Sequence, residues 1–344
     1  MSGPGDDPFP RHPVTCLPVH GIGEISAGED LAATICAAAS LQDGDVLVVT
    51  SKVVSKAEGQ VRRTTKAEAV KEETDRVLAA RGGTVIVRNR QGLVMAAAGV
   101  DMSNTSAGTV VLLPGDPDAS ARRMRVAVRR LVGRDVAVVV TDTAGRAWRN
   151  GQTDIAIGVA GLQVVHDYAG HVDGYGNPLL VTLTAVADEI AAAADLVKGK
   201  LAGCPAAVVR GLGQLVLPPG QHGPGARALL REEGEDLFGY GAREAVDAAL
   251  RAEPTGLRGF GAPCDADDLA ARLRALAGAG TVAVVAPDRV DLALPAVADL
   301  DEAREAGRTE ARATTLAFSC GWGRAQELQP SLSFRPAAPG ARPT

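Results

Sequence analysis

The stretch from Val136 to Asp154, VAVVVTDTAGRAWRNGQTD, constrains this chain more than any other. Its first five residues, Val136 to Val140, are all apolar and mostly β-branched. Such a run is too short for a buried helix and reads as an interior strand of a sheet covered on both faces, which makes the fold an α/β one. Chemistry then belongs at the strand's carboxyl end. There Thr141, Asp142 and Thr143 offer hard oxygen donors, Gly145 a turn, and Arg146 and Arg149 cationic forks, with Asn150, Gln152, Thr153 and Asp154 close behind. A carboxylate beside threonines suits Mg2+ or Mn2+, and arginine holds phosphate oxygens in pairs. The spacing also allows a helix N-terminus, with Asp142 or Thr143 as its cap and the arginines in surface pairs.

With 344 residues the chain exceeds one ordinary core, so two domains are expected. Aromatic residues are only 3%, against 40 glycines, which implies an Ala/Val-rich interior with closely approaching backbones. The net charge of -5 leaves no basic field for nucleic acid, which is excluded as a partner. Cys16, Cys36, Cys204, Cys264 and Cys320 are scattered, without C-x-x-C spacing. They fit a reducing cytoplasm rather than a disulfide framework or a zinc site. The amino-terminal MSGPGDDPFPRHP has no apolar core, and no run of about 18 apolar residues follows, so a cytoplasmic protein without membrane contact is expected.

Other strand ends repeat the polar theme. After a Gly/Pro-rich tail over residues 1–13 and a strand VTCLPV, the loop His20 to Ile25, HGIGEI, carries two glycines that let backbone approach a ligand. A helix over Asp30 to Ser40 leads to the strand Asp45 to Lys52, which ends in the hydroxyl-and-cation cluster Thr50 to Lys56 without Walker A spacing. The charged segment Thr64 to Ala80 predicts a surface helix. The strand TVIVRN and an Ala-rich run follow, closing in Asp101, Met102, Ser103 and Asn104; Asp116 and Asp118 then open a basic helix. His166, Asp167, His171, Asp173 and Tyr175 are spaced too irregularly for a convincing metal site. A strand LLVTLTAV, a helix Ala187 to Lys198 with Lys198 and Lys200 at its end, and a strand PAAVVRGLG ending at Arg210 complete the region. Four strand ends, at Ser51/Lys56, Asp101/Asn104, Asp142/Thr143 and Arg210, are expected to converge.

These residues carry a resemblance. LPVHGIGEI, DGDVLVVTSKVVSKAEG, NRQGLVMAAAGVDMSN, VVVTDTAGRAWRNGQTDIAIGVAG, DGYGNPLLVT and VADEIAAAADLVKGKLAGCPAAVVRGL resemble, in order and spacing, the coenzyme F420-0:L-glutamate ligase family. The likeness runs from about Leu17 to Tyr240 and is strongest to the ligase part of the two-domain actinobacterial enzymes. It implies a two-lobed α/β fold, an intertwined homodimer, and a GTP-dependent ligase. The terminal carboxylate of F420-0, or of F420-1, would be activated as an acyl phosphate, and the amine of L-glutamate would displace phosphate. The resemblance further implies Mg2+ or Mn2+, often with K+. It assigns Ile22, Gly23, Glu24, Ile25, Ser51, Lys56 and Asn104 to GTP, and Asp101, Asp142 and Thr143 to metal. From the residues themselves, Arg146 and Arg149 are added for the anionic groups of the deazaflavin substrate, and Arg210 for a phosphate.

HGIGEI stands where an LPE-like turn is expected. The two-domain relatives carry a flavin-binding, nitroreductase-like domain of roughly two hundred residues, a size typical of whole domains. Here residues 14–240 form the expected ligase domain, and residues 241–344 a short α/β extension, a remnant of that domain without FMN. Its expected elements are a helix Ala242 to Arg251 and one strand, TVAVVAP. Two alternatives stand beside this reading: a relative joining another acid to another amino acid, and a nucleotide-binding protein without turnover.

Overall fold

The computed structural model describes Phe9, residues 13–232, 235–236, 238–277, 280–325 and 331–336. The expected amino-terminal tail falls almost wholly outside them. The chain has an α/β fold of mixed helices and strands, divided into two compact units.

The first unit comprises residues 1–76 and 86–230. Its central sheet has the order β1 (Thr15–Pro18), β12 (Ala206–Arg210), β2 (Val46–Thr50), β8 (Ala137–Arg146), β9 (Arg149–Ala160). The β2 and β8 strands run parallel in register from Val46 with Ala137 to Thr50 with Thr141, whereas β12 is antiparallel to β2. Alternate residues go to opposite faces, as the pleat demands. Leu47, Val49, Val138 and Val140 pack with Leu31 and Ile35 of α1 (Leu31–Ala38) and with Met124 and Val128 of α4 (Pro117–Val132). Val46, Val48, Ala137 and Val139 pack with Val186, Ile190 and Ala194 of α5 (Val186–Lys198). Both faces are thus covered, which accounts for the unbroken apolar run. Fully burying each valine is worth roughly 1.5–3 kcal/mol.

Asp116 caps α4, accepting from Ala119 N at 2.9 Å, and Pro117 occupies the first turn. Gly158 of β9 lets that helix end approach: a Cβ there would lie 2.3 Å from the Pro117 carbonyl oxygen. The short helix α2 (Ser51–Ala57) starts directly at the end of β2. Two small sheets lie within this unit, β3 (Val61–Arg62) with β7 (Val110–Val111) and β10 (His166–Asp167) with β11 (Leu183–Thr184); a third, β4 (Thr74–Arg81), β5 (Thr84–Asn89), β6 (Val94–Ala96), takes residues from both units.

Three expectations are corrected here. The helix expected over Thr64 to Ala80 is only α3 (Lys66–Glu73), opened by a Thr65/Glu68 capping box; Gly82-Gly83 then turns the chain between β4 and β5, a two-residue hairpin signal that outweighs the charge periodicity. Asp142 and Thr143 do not cap a helix, because β8 continues to Arg146 and returns as β9. The strand expected at LLVTLTAV shrinks to the two residues of β11.

The second unit comprises residues 77–85 and 231–344. It holds α6 (Ala242–Arg251), α7 (Ala266–Ala277), α8 (Leu300–Ser319) and an antiparallel sheet of order β13 (Thr281–Ala286), β14 (Arg289–Ala293), β16 (Ser331–Pro336), β15 (Trp322–Arg324). Where one strand was expected, four therefore pair. Leu269, Leu273, Leu292, Trp322 and Phe334 form a core of its own. Among the described residues, no helix is long and apolar enough to cross a membrane.

Candidate functional site

Because β2 and β8 are parallel, their carboxyl ends lie side by side, and Ser51 and Asp142 follow from that register. The Ser51 hydroxyl donates to Asp142 Oδ1 at 2.9 Å. Asp142 is half-buried, and its desolvation is the largest influence on its carboxyl, pushing its pKa up to about 6; Ser51 opposes this, while the charges of Asp154 and Asp101 add to it.

Asp101 reaches the same place from the loop before β7. Lys52 pairs with its Oδ2 at 2.6 Å, and Ser103 donates to it through backbone N at 2.8 Å and hydroxyl at 2.9 Å. Burial alone would raise this carboxyl, but Lys52 and Ser103 hold it at about 2. One helical turn beyond Lys52, the buried Lys56 donates to Glu24 and, at 2.8 Å, to the Asn104 carbonyl oxygen. The loop before α1 is anchored by the buried side chains of Ile22 and Ile25, while Gly23 and Glu24 between them are exposed.

Next to Asp142 lies a polar network whose Thr141, Asp154 and Lys198 are buried. Asp154 of β9 accepts from Thr141 Oγ1 at 2.8 Å and Thr143 Oγ1 at 3.0 Å, and pairs with Lys198 Nζ at 2.7 Å. Lys198 also donates to Thr141 Oγ1 at 3.0 Å. Lys198 is thus turned inward from the end of α5 rather than serving its exposed last turn. The signal was in the sequence: Val186, Ile190, Ala194 and Lys198 follow one another at intervals of four, so the lysine lies on the buried stripe. Lys52, Ser103 and Asp154 also belong to this constellation, although the motifs alone did not assign them roles.

Two expected placements fail to converge. Arg210 ends a strand antiparallel to β2, so it lies at the opposite end of the sheet. There its guanidinium forks onto the buried Asp45, at 2.8 Å to each oxygen, and reaches the Ser40 carbonyl oxygen at 3.0 Å. Arg210→Met is therefore expected to cost about 3 kcal/mol of stability by stranding Asp45, read by urea unfolding. Arg146 and Arg149 face one another in register at the exposed tip of the β8–β9 hairpin, where Arg146 donates to the Asn150 carbonyl oxygen at 3.0 Å.

Asp101, Asp142 and Thr143 are the residues able to hold a divalent cation. No group of three or more His, Cys, Asp or Glu side chains suited to a metal occurs among the described residues. Two carboxylates fit an ion that brings other oxygen ligands with it, as Mg2+ does when bound with phosphates. Asp173 instead closes a turn, accepting from Tyr175 N and Asn177 N, and His166 packs edge-on against Tyr168.

The arrangement defines the class: an α/β protein with paired lysines and carboxylates at the carboxyl ends of parallel strands, a place where anions and a cation can be gathered. The family model for F420-0:gamma-glutamyl ligase matches residues 21–72 and 62–211. The "Coenzyme F420:L-glutamate ligase" of Archaeoglobus fulgidus is 41% identical over 220 residues, 58% of this chain and 88% of the relative. The relative of the same name from Methanopyrus kandleri is 39% identical over 236 residues, 62% of this chain and 93% of its own. That from Methanothermobacter thermautotrophicus is 36% identical over 253 residues, covering 65% and 98%. This chain belongs to the F420-0:gamma-glutamyl ligase family.

Proposed function

We propose that this protein joins L-glutamate to coenzyme F420-0 in a GTP-dependent ligation. The observation that carries this reading is the meeting of Lys56, Ser51, Asp101 and Asp142 at the ends of β2 and β8, in a family whose relatives are named coenzyme F420:L-glutamate ligases. The acceptor carboxylate and the γ-phosphate are both anions, so the site must neutralise charge before bringing them together. Lys56 and Ser51 would bind phosphate oxygens. Asp101 and Asp142, with Thr143, would hold Mg2+ or Mn2+, which supplies charge neutralisation when bound. A carboxylate oxygen of F420-0 attacks the γ-phosphorus and GDP leaves. The glutamate amine then attacks the acyl carbon, loses a proton, and phosphate departs with the oxygen it gained.

An acceptor carboxylate enriched in oxygen-18 should therefore transfer one label to the released phosphate, read by mass spectrometry; unlabelled phosphate would exclude the acyl-phosphate route. Lys56→Ala is expected to raise the GTP concentration needed for half-maximal rate about tenfold to a hundredfold, since a hydrogen bond to a charged group contributes about 1.5–3 kcal/mol. An unchanged GTP dependence would remove Lys56 from the nucleotide site.

A homodimer belongs to this proposal. Trp148, Tyr175, Leu180 and Val181 are 88%, 95%, 74% and 92% exposed on the first unit. Such a density of open apolar side chains fits a surface covered by a second copy. Sedimentation equilibrium should return twice the chain mass.

A further inference from the structure

Lys52 and Lys56 stand one helical turn apart on the same face of α2, and both ammonium groups are occupied by acidic or carbonyl oxygen from other segments. Their partners differ in kind. Lys56 is held by the exposed Glu24 and a carbonyl oxygen, whereas Lys52 sits on Asp101, whose charge is felt by Asp142. Lys52 donates to Asp101 Oδ2 at 2.6 Å and to Ser103 Oγ at 2.5 Å, and the same hydroxyl donates to Asp101 Oδ2 at 2.9 Å. Ser103 thus keeps the carboxylate in place whether or not the lysine stays.

We propose that Lys52 is a resident cation that holds Asp101 until a divalent ion arrives with nucleotide, then yields the carboxylate and transfers its ammonium to a phosphate oxygen. This inference rests on the metal–nucleotide reading above. A divalent ion on Asp101 brings like charge against the ammonium, which repels it. The four-carbon stem allows the ammonium to re-aim without moving α2. The phosphates that accompany the ion supply the new anion. Lys52 therefore opposes metal alone and favours metal with nucleotide, a coupling between the two ligands.

Opposite signs in two titrations test this. Mn2+ binding is followed by electron paramagnetic resonance, first on nucleotide-free protein and then with a non-hydrolysable GTP analogue. Relative to wild type, Lys52→Met should bind Mn2+ alone about tenfold more tightly and the analogue with Mn2+ about tenfold more weakly, within the usual range of coupling between sites. Lys52→Arg, which keeps the charge, should follow the wild type in both titrations, and its thermal unfolding controls for folding. If Lys52→Met binds Mn2+ alone no better than wild type, Lys52 is only a clamp on Asp101 and the assignment is overturned. If wild-type protein takes up neither Mn2+ nor the analogue, the underlying metal–nucleotide reading falls and this inference with it.

Discussion

Asp142→Asn should abolish ligation while making the nucleotide-free protein more stable at neutral pH. The two effects have one cause. Asp142 is half-buried and feels the charges of Asp154 and Asp101, and its carboxyl pKa is raised to about 6. A raised carboxyl pKa means that the folded chain keeps a proton which the unfolded chain releases near pH 4. The stability contributed by the neutral form is fully present below that value and is lost as pH rises through about 6. Asparagine never ionises, so its advantage over aspartate should emerge across this window and reach on the order of 2 kcal/mol at pH 7.5. Thermal unfolding without divalent ions, at pH 4.5 and pH 7.5, measures it. Turnover should fall at least ~100-fold, because an amide cannot supply the anionic oxygen that holds the cation. Undiminished turnover at saturating Mn2+ would contradict the role given to Asp142.

Asp154→Ala should be among the most destabilising substitutions in the first unit. It leaves the Lys198 ammonium buried without its counter-ion and frees the hydroxyls of Thr141 and Thr143. Removing one member of such a pair costs about 3–5 kcal/mol, whereas replacing both by apolar groups can be neutral. The double variant Asp154→Ala with Lys198→Met should therefore recover much of the loss in urea unfolding. Strictly additive losses would mean that the two side chains do not form an energetic unit. Activity should not return with stability, since the Thr143 hydroxyl next to Asp142 loses the Asp154 carboxylate to which it donates at 3.0 Å.

Much of the central sheet was legible because the demands on it are local. Val46 to Val49 and Val136 to Val140 had to lie between two helical layers, and the packing of alternate residues against α1/α4 and α5 meets that demand. The polar residues after those strands were legible for the same reason: a covered strand leaves only its ends free for chemistry. Strand direction was not legible. Arg210 has the same local pattern as Asp142, an apolar run closed by a charge, but β12 runs against β2 and carries its arginine to Asp45 at the far end. Pairing direction depends on the whole topology, which no single segment states. The hairpin at Gly82-Gly83 was readable by its turn, and charge periodicity in the preceding segment concealed it. In the second unit, β14 to β16 are short and interrupted by arginine, aspartate and glycine, so their pairing rests on tertiary packing rather than on pattern.

The most direct test is to incubate the purified protein with F420-0, L-glutamate, GTP and Mn2+, and to follow the deazaflavin by liquid chromatography and mass spectrometry. The account predicts a product heavier by one glutamyl unit that forms with GTP and fails to form when GTP or Mn2+ is withheld. An F420-0 that remains unextended while GTP is consumed in the presence of another acid would contradict it.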